Sequence, residues 1–480
     1  MKRAKVATKN ETIHEMTRIC LLMGLCLSAL VGPLHLSSTV KRKPNIIFIL
    51  ADDLGYGDLG CYGQKLIKTP NLDGLARAGI RFTNFYAACP VCAPSRASLM
   101  TGLHQGHAYV RGNTTLKAVP GQSGPAATRL PLRPQDVTVA EVLKAGGYAT
   151  GLIGKWGLGE SNTTGIPNRK GFDYFFGYLN QNHAHNYYPD YLWRNQQRVS
   201  IKQGTYSHDL FTSEALEFIR RERSHPFFLY LAYTLPHANN ELGRTTGNGM
   251  EVPTDEPYSR ESWPQQEKNY AAMVTRLDTD VGKIRSLLKE LGLDDETIVF
   301  FNSDNGPQGP DEGGFDPNFF ASHGVFRGIK RELYEGGIRE PMIVCWPGKI
   351  AAGTVSQQVW AGWDVLPTFA AIAGVNSPAG LDGISVLPAL LGQTLQGHAY
   401  LYWEFHEGQY AQAVRWGRWK AVRKVSSAIE LYDLETDVSE THDIAAAHPE
   451  VVLRIEEIMK EAHTESEFWP VSPATRARPS

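Results

Sequence analysis

Residues 45–53 read Asn45-Ile-Ile-Phe-Ile-Leu50-Ala-Asp52-Asp53. An apolar run with no polar alternation belongs in a sheet covered on both faces, and such sheets are largely parallel. Three more runs share the design: 148–153 stops at Lys155, 227–233 stops before His237, and 297–301 stops at Asp304-Asn305. In open parallel sheets the ligand crevice lies at the carboxyl ends of the strands. Polar strand ends are common, so one such pair says little. Four that suit metal and anion chemistry say more.

Helical patterns at 71–78, 138–145, 213–223 and 278–291 fall between the apolar runs, as α/β alternation requires. The Pro/Gly-rich stretches 112–134 and 237–264 are too long for ordinary connections and read as functional loops. The texture changes after Gly374. Short runs at 400–404, 413–422 and 429–434 read as an antiparallel sheet, and 446–462 as a closing amphipathic helix. The expected organisation is a signal peptide over 1–39, a catalytic domain over 42–375, a small α+β subdomain over 376–468 and a flexible tail over 469–480.

The signal assignment rests on residues 19–31, an apolar run behind Arg18 that is shorter than the ~20 residues of a membrane span. Export to the periplasm or medium follows, with no stable membrane insertion. The 480 residues are 42% apolar and 20% charged, which is a globular composition. A net charge of −2 offers no basic field for nucleic acid, so an anionic substrate must meet local positive charge. Of six cysteines, Cys20 and Cys26 leave with the signal, too few remaining for a disulfide framework.

Cys92-Ala-Pro94-Ser95-Arg96-Ala-Ser-Leu99-Met-Thr101-Gly102 reads as a helix that starts at the cysteine and ends at the glycine. A helix N-terminus gathers unsatisfied N–H donors that favour an anion, and Arg96 adds a cation fitted to tetrahedral oxyanions. Local physics leaves two readings of position 92, a buried structural cysteine or an anion site.

This string resembles the type I sulfatase signature, C-x-P-S-R-x-x-L-x-T-G, at every fixed position. The second signature of that family, G-Y-x-T-x-x-x-G-K-W, is met by Gly147-Tyr148-Ala-Thr150-Gly-Leu-Ile-Gly154-Lys155-Trp156. The resemblance spans roughly residues 43–460. It implies an α/β fold of the alkaline-phosphatase-like sandwich type, with a mostly parallel central sheet and a small C-terminal antiparallel subdomain. It implies that a formylglycine-generating maturation enzyme oxidises Cys92, and that a hydroxyl of the hydrated aldehyde attacks sulfur. Arg96, Lys155 and Lys330 would stabilise charge, and His237 would protonate the leaving alcohol. Lys330 is placed by Lys330-Arg-Glu-Leu-Tyr334-Glu335-Gly336-Gly337, and His237 by Leu-Pro-His.

Asp52, Asp53, Asp304 and Asn305 offer only oxygen ligands, which suit calcium or magnesium over zinc. The resemblance implies calcium, held by these four and by an oxygen of modified Cys92. The chain departs from the family at Gly157, where a histidine normally follows Lys-Trp. His183 or His185 is expected to supply the missing proton transfer or to bind substrate, with His104 and His107 as further candidates. A glycine there leaves room for a group from another segment.

The expected activity is hydrolysis of a sulfate ester on an aryl sulfate or a sulfated carbohydrate of galactose or N-acetylgalactosamine type. The rivals are a phosphonate or phosphate monoester hydrolase and a non-catalytic sulfated-glycan-binding protein.

Overall fold

The four apolar runs are adjacent strands. A computed structural model describes residues 42–124 and 127–471. In chain order the large sheet comprises β1 (Asn45–Ala51), β2 (Ile80–Tyr86), β3 (Ala149–Lys155), β4 (Tyr174–Tyr178), β5 (Tyr191–Arg194), β6 (Gln197–Ser200), β7 (Phe227–Ala232), β8 (Thr297–Ser303), β9 (Arg339–Cys345), β10 (Thr354–Ser356) and β11 (Trp360–Ala361). The spatial order is β10-β2-β9-β8-β1-β7-β3-β4-β5-β6, with β11 also on β2.

Strands β8, β1, β7, β3 and β4 run parallel, with Ala51 opposite Ser303 and both Leu50 and Gly154 opposite Ala232. Parallel neighbours end at the same edge, so Asp52, Lys155, Thr234 and Asp304 all emerge there. Every residue of β1 is buried. Because successive side chains point to opposite faces, Ile47 and Ile49 join one core with the helices Ser207–Glu222 and Gln265–Glu290. Ile46, Phe48 and Leu50 join the other with Val139–Ala145 and Val365–Ala373.

The sheet is mostly parallel, with exceptions that the apolar pattern hides. Strand β9 runs antiparallel to both β2 and β8, and β5 and β6 form an antiparallel edge beside β4. Strand β9 opens with Arg339-Glu340-Pro341, yet all seven of its residues are buried and Arg339 pairs with Glu335 at 3.1 Å. The helix expected at 278–291 extends over Gln265–Glu290. Its polar opening conceals Tyr270, Met273 and Val274, which are fully buried. Thr138 caps Val139–Ala145 by accepting from the Glu141 amide while Glu141 reaches back to the Thr138 N–H.

A second sheet has four antiparallel strands, Leu401–Phe405, Ala411–Trp416, Trp419–Lys424 and Glu430–Asp433, backed by the helix Pro449–Glu461. The single run expected at 413–422 is two strands joined at Gly417-Arg418. From Lys43 onward the described residues form one compact unit. Trp469, which the sequence assigns to a loose tail, is fully buried, with its indole N–H on Tyr109 O at 2.8 Å. The expected signal peptide over residues 1–39 and the tail residues 472–480 lie outside the described residues. Among the described residues no helix is long and apolar enough to cross a membrane.

Candidate active site

Cys92 opens the helix Cys92–Thr101 directly above the carboxyl edge of β1 and β8. The Ala93 N–H donates to Asn113 Oδ1 at 3.0 Å, and the Ser95 hydroxyl donates to Asp304 O at 2.5 Å. These bonds hold the first turn against the strand ends. Cys92 Sγ lies 3.4 Å from Asp52 Oδ1. Burial pushes the Cys92 thiol well above its usual range, with Lys155 acting against it.

Three cations and four carboxylates interleave beside it. Arg96 is 1% exposed and binds Asp304 through Nε at 2.9 Å and Nη2 at 2.8 Å, with its Nη1 donating to Lys155 O at 3.0 Å. Lys155 Nζ contacts Asp52 Oδ2 at 2.7 Å. Lys330 Nζ contacts Asp53 at 2.8 Å and Glu312 at 3.1 Å. Burial works against the Asp52 carboxylate, but Lys155 and Arg96 outweigh it and hold Asp52 below its usual range. Asp53 behaves oppositely. Burial, only partly offset by Lys330 and reinforced by the charges of Asp52 and Asp304, raises it to about 7. Asp53 also has φ +64°, a left-handed conformation uncommon for a non-glycine residue.

This set fits a hard cation. Ligand atoms of Asp52, Asp53, Cys92 and His237 lie within 4.8 Å of one another. Asn305 donates through Nδ2 to Asp53 Oδ1 at 2.7 Å, and its Oδ1 is buried without a hydrogen-bond partner. An orphaned amide oxygen beside crowded carboxylates is the donor pattern of a calcium or magnesium site.

His237 engages Ala238 O through Nδ1 at 2.6 Å and turns Nε2 to Lys330 Nζ at 3.2 Å. Burial and the Lys330 charge push the imidazole well below its usual range. His185 stacks on it with ring centres 4.6 Å apart and planes 15° from parallel, and its own Nδ1 lies 3.0 Å from Glu241. His183 packs on Tyr191 at 4.4 Å and lines a cleft of about 870 Å³ with Glu160, Asn180, Asn182, Tyr191 and Asn239. The structure therefore brings His185 to the wall of the site and His183 to the cleft.

His104 and His107 stay apart from this constellation. They stack on each other at 4.4 Å, and His107 Nδ1 bonds Asp382 at 2.8 Å. The ten-residue helix is about 15 Å long at 1.5 Å per residue, and the pair follows its far end.

The room expected beside Gly157 is already taken. A Cβ at 157 would lie 2.1 Å from Gln181 Nε2, and Gln181 is 4% exposed with that amide nitrogen unpartnered. Sequence reasoning missed Gln181 and the Lys330 partner Glu312. The amide-rich run Asn180-Gln181-Asn182 was the available signal for the first, and none existed for the second.

The sulfatase family model matches residues 44–375, and the model described as N-sulphoglucosamine sulphohydrolase, C-terminal, matches 321–465. The chain is 35% identical over 412 residues to human N-acetylgalactosamine-6-sulfatase, covering 80% of this chain and 72% of the relative. It is 32% identical to human arylsulfatase A, with 87% of each chain covered. Among solved structures, Ps i-CgsB in complex with k-i-k-neocarrahexaose is similar at a TM-score of 0.76 and 30% identity, over 90% of this chain and 96% of that one.

Proposed function

The chain belongs to the sulfatase family and is a sulfuric ester hydrolase, and from that premise we propose that it desulfates a sugar, using Cys92 oxidised to formylglycine and calcium held by Asp52, Asp53, Asp304 and Asn305. The observation that carries this reading is the position of Cys92. It stands at a helix N-terminus, 3.4 Å from Asp52, beside the orphaned Asn305 oxygen. As a thiol this residue is a poor nucleophile, because burial disfavours the thiolate. Hydrated formylglycine supplies a hydroxyl for attack on sulfur. Calcium bound to the four oxygen ligands would neutralise their charge and polarise a sulfate oxygen.

The remaining chemistry falls to this chain's own side chains. Arg96 fixes Asp304 and carries a positive charge under the nucleophile. Lys155 and Lys330 bring ammonium groups to Asp52 and Asp53, where they also stabilise negative charge developing on a sulfate ester. When the bond between sulfur and the alcohol oxygen breaks, its electron pair stays on that oxygen. The proton needed there is assigned to His237: its Nδ1–H stays on Ala238 O, so Nε2 first takes a proton from Lys330 across 3.2 Å and then passes it to the alcohol oxygen, leaving Lys330 neutral until solvent reprotonates it.

A sugar substrate is supported by the relative named N-acetylgalactosamine-6-sulfatase and by the amide-lined cleft. Galactose and N-acetylgalactosamine sulfates are the first candidates, with small aryl sulfates as probes. Maturation by a formylglycine-generating enzyme accords with export to the periplasm or medium. The test is mass spectrometry of the Cys92 peptide from active protein, with sulfate release measured across sulfated sugars with and without a calcium chelator. An aldehyde in place of the thiol, loss of turnover in C92A and recovery by calcium are expected. Full activity with an unmodified thiol, or in metal-free protein, overturns the corresponding part.

A further inference from the structure

One guanidinium beside the cleft, that of Arg129, forms no ion pair among the described residues. Arg129 lies on the long loop 112–134, whose start and end both border the nucleophile. Asn113 holds the Ala93 N–H, and Thr115 donates to Thr128 O through both its N–H at 2.8 Å and its hydroxyl at 3.1 Å. That closure returns residue 129 to the nucleophile end. Arg129 Nη2 donates at 2.6 Å to the Oδ1 of Asn182, which lines the cleft. Asn182 immediately precedes the turn His183–His185, and His185 is the ring stacked on His237. Arg129 thus links the loop beside the nucleophile to the segment that lines the cleft and carries His185.

Among the described residues Arg129 forms no ion pair, and its Nε is buried without an acceptor. The nearby acids hold other partners and none reaches Arg129 at ion-pair distance. Glu241 bonds His185, Glu407 bonds Arg331 at 2.6 Å and the Asn113 N–H at 2.6 Å, and Glu160 accepts from Asn180 at 2.6 Å. Burial works against the Arg129 charge, and the fields of Glu160 and Glu407 offset it only in part. Partly buried charges are normally paired. A guanidinium left unpaired where substrate enters is poised for an anion brought by the substrate, and its planar fork suits a carboxylate or a sulfate.

We propose that Arg129 forms an anion-binding subsite beside the reacting sulfate, taking a second acidic group of the same saccharide, a further sulfate or a uronate carboxylate. The inference rests on the reading of the protein as a sugar sulfatase and narrows its substrates to saccharides with at least two acidic groups.

The test uses matched disaccharides with one common scissile sulfate and a hydroxyl, a sulfate or a carboxylate at one other position. The wild type is expected to favour an acidic disaccharide over the hydroxyl one by kcat/KM on the order of tenfold, as a charge-assisted bond would give. R129Q should bring that ratio close to one. R129K should retain part of it, because lysine keeps the charge but not the fork. The sulfate and carboxylate arms identify which acid is read. No preference in the wild type, or an equal loss on all three substrates in R129Q, overturns the subsite. Calorimetric titration of C92A and C92A/R129Q with the same disaccharides reads the ratio without turnover. Failure to release sulfate from any sugar would instead overturn the sugar-sulfatase reading, leaving the binding ratio to decide the subsite.

Discussion

At Gly157 the backbone has φ +77° and a buried amide from Gln181 occupies the side-chain position. G157A is therefore expected to be destabilised both by the left-handed backbone, about 1 kcal/mol, and by the clash. G157A/Q181A should recover the clash component, which thermal unfolding of the two variants measures. The two nearby histidines divide by location. His185 stacks on His237, so H185A should lower the turnover number on an aryl sulfate and on a sugar sulfate alike, on the order of tenfold to a hundredfold. His183 faces the cleft, so H183A should raise KM for the sugar and leave the aryl sulfate nearly unaffected. Steady-state kinetics on both substrates separate these outcomes. A fall confined to the sugar in H185A would remove it from the proton-transfer step.

Among the elements, a buried ion cluster joins the second sheet to the segment that leads into β9. Lys420, from the strand Trp419–Lys424, lies 3.0 Å from both Glu335 and Glu440 and is fully buried with Glu335. Glu335 begins the short helix Glu335–Ile338 that leads into β9, and its N–H donates to Glu440 at 2.7 Å. Burial opposes Glu335, yet Lys420 and Arg339 bring it down to about 2, whereas burial outweighs Lys420 at Glu440 and raises it to about 7. K420M leaves buried Glu440 without this cation and Glu335 with Arg339 as its remaining ion pair, and should cost about 3–5 kcal/mol in urea unfolding. A carboxyl whose pKa is higher in the folded state binds more protons there. Its stabilisation is present below the unfolded value of 4.5 and is lost as pH rises through about 7. The wild type should thus lose more stability than E440Q between pH 5 and pH 8. Equal losses would show that Glu440 titrates normally.

For the molecule as a whole, the C-terminal segment closes over the loop that follows the nucleophile helix. Arg111 donates to Thr464 O at 2.8 Å, the Thr464 hydroxyl donates to Gly106 O, and Trp469 leaves no space for a Cβ at Gly112, which would lie 2.7 Å from its ring. The chain beyond the second sheet therefore buttresses Asn113 and, through it, the first turn at Cys92. W469A should destabilise the protein by about 3–5 kcal/mol and lower activity more than an exposed substitution such as L453A. Chemical unfolding and turnover measured on the same preparations test both parts. Undiminished stability in W469A would mean that the segment merely rests on the surface.

Two kinds of information were local and therefore readable in the sequence. The apolar runs that became β1, β3, β7 and β8 carry no alternation, so burial on both faces follows from their composition alone. The string from Cys92 to Gly102 contains its own start, cation and stop signals, and the acids at 52, 53 and 304 follow directly on strand ends. The antiparallel insertion of β9 was hidden because its polar opening is neutralised by Glu335 and by burial rather than by neighbours in sequence. Gln181 over Gly157, Glu312 on Lys330, His185 on His237 and the uncompensated Arg129 are likewise pairings, or missing pairings, between segments far apart in the chain. Periodicity and motif spacing encode which residues share a strand edge or a helix turn. Which side chain fills the space left by another, and which charge remains without a partner, is decided only when the loops pack together.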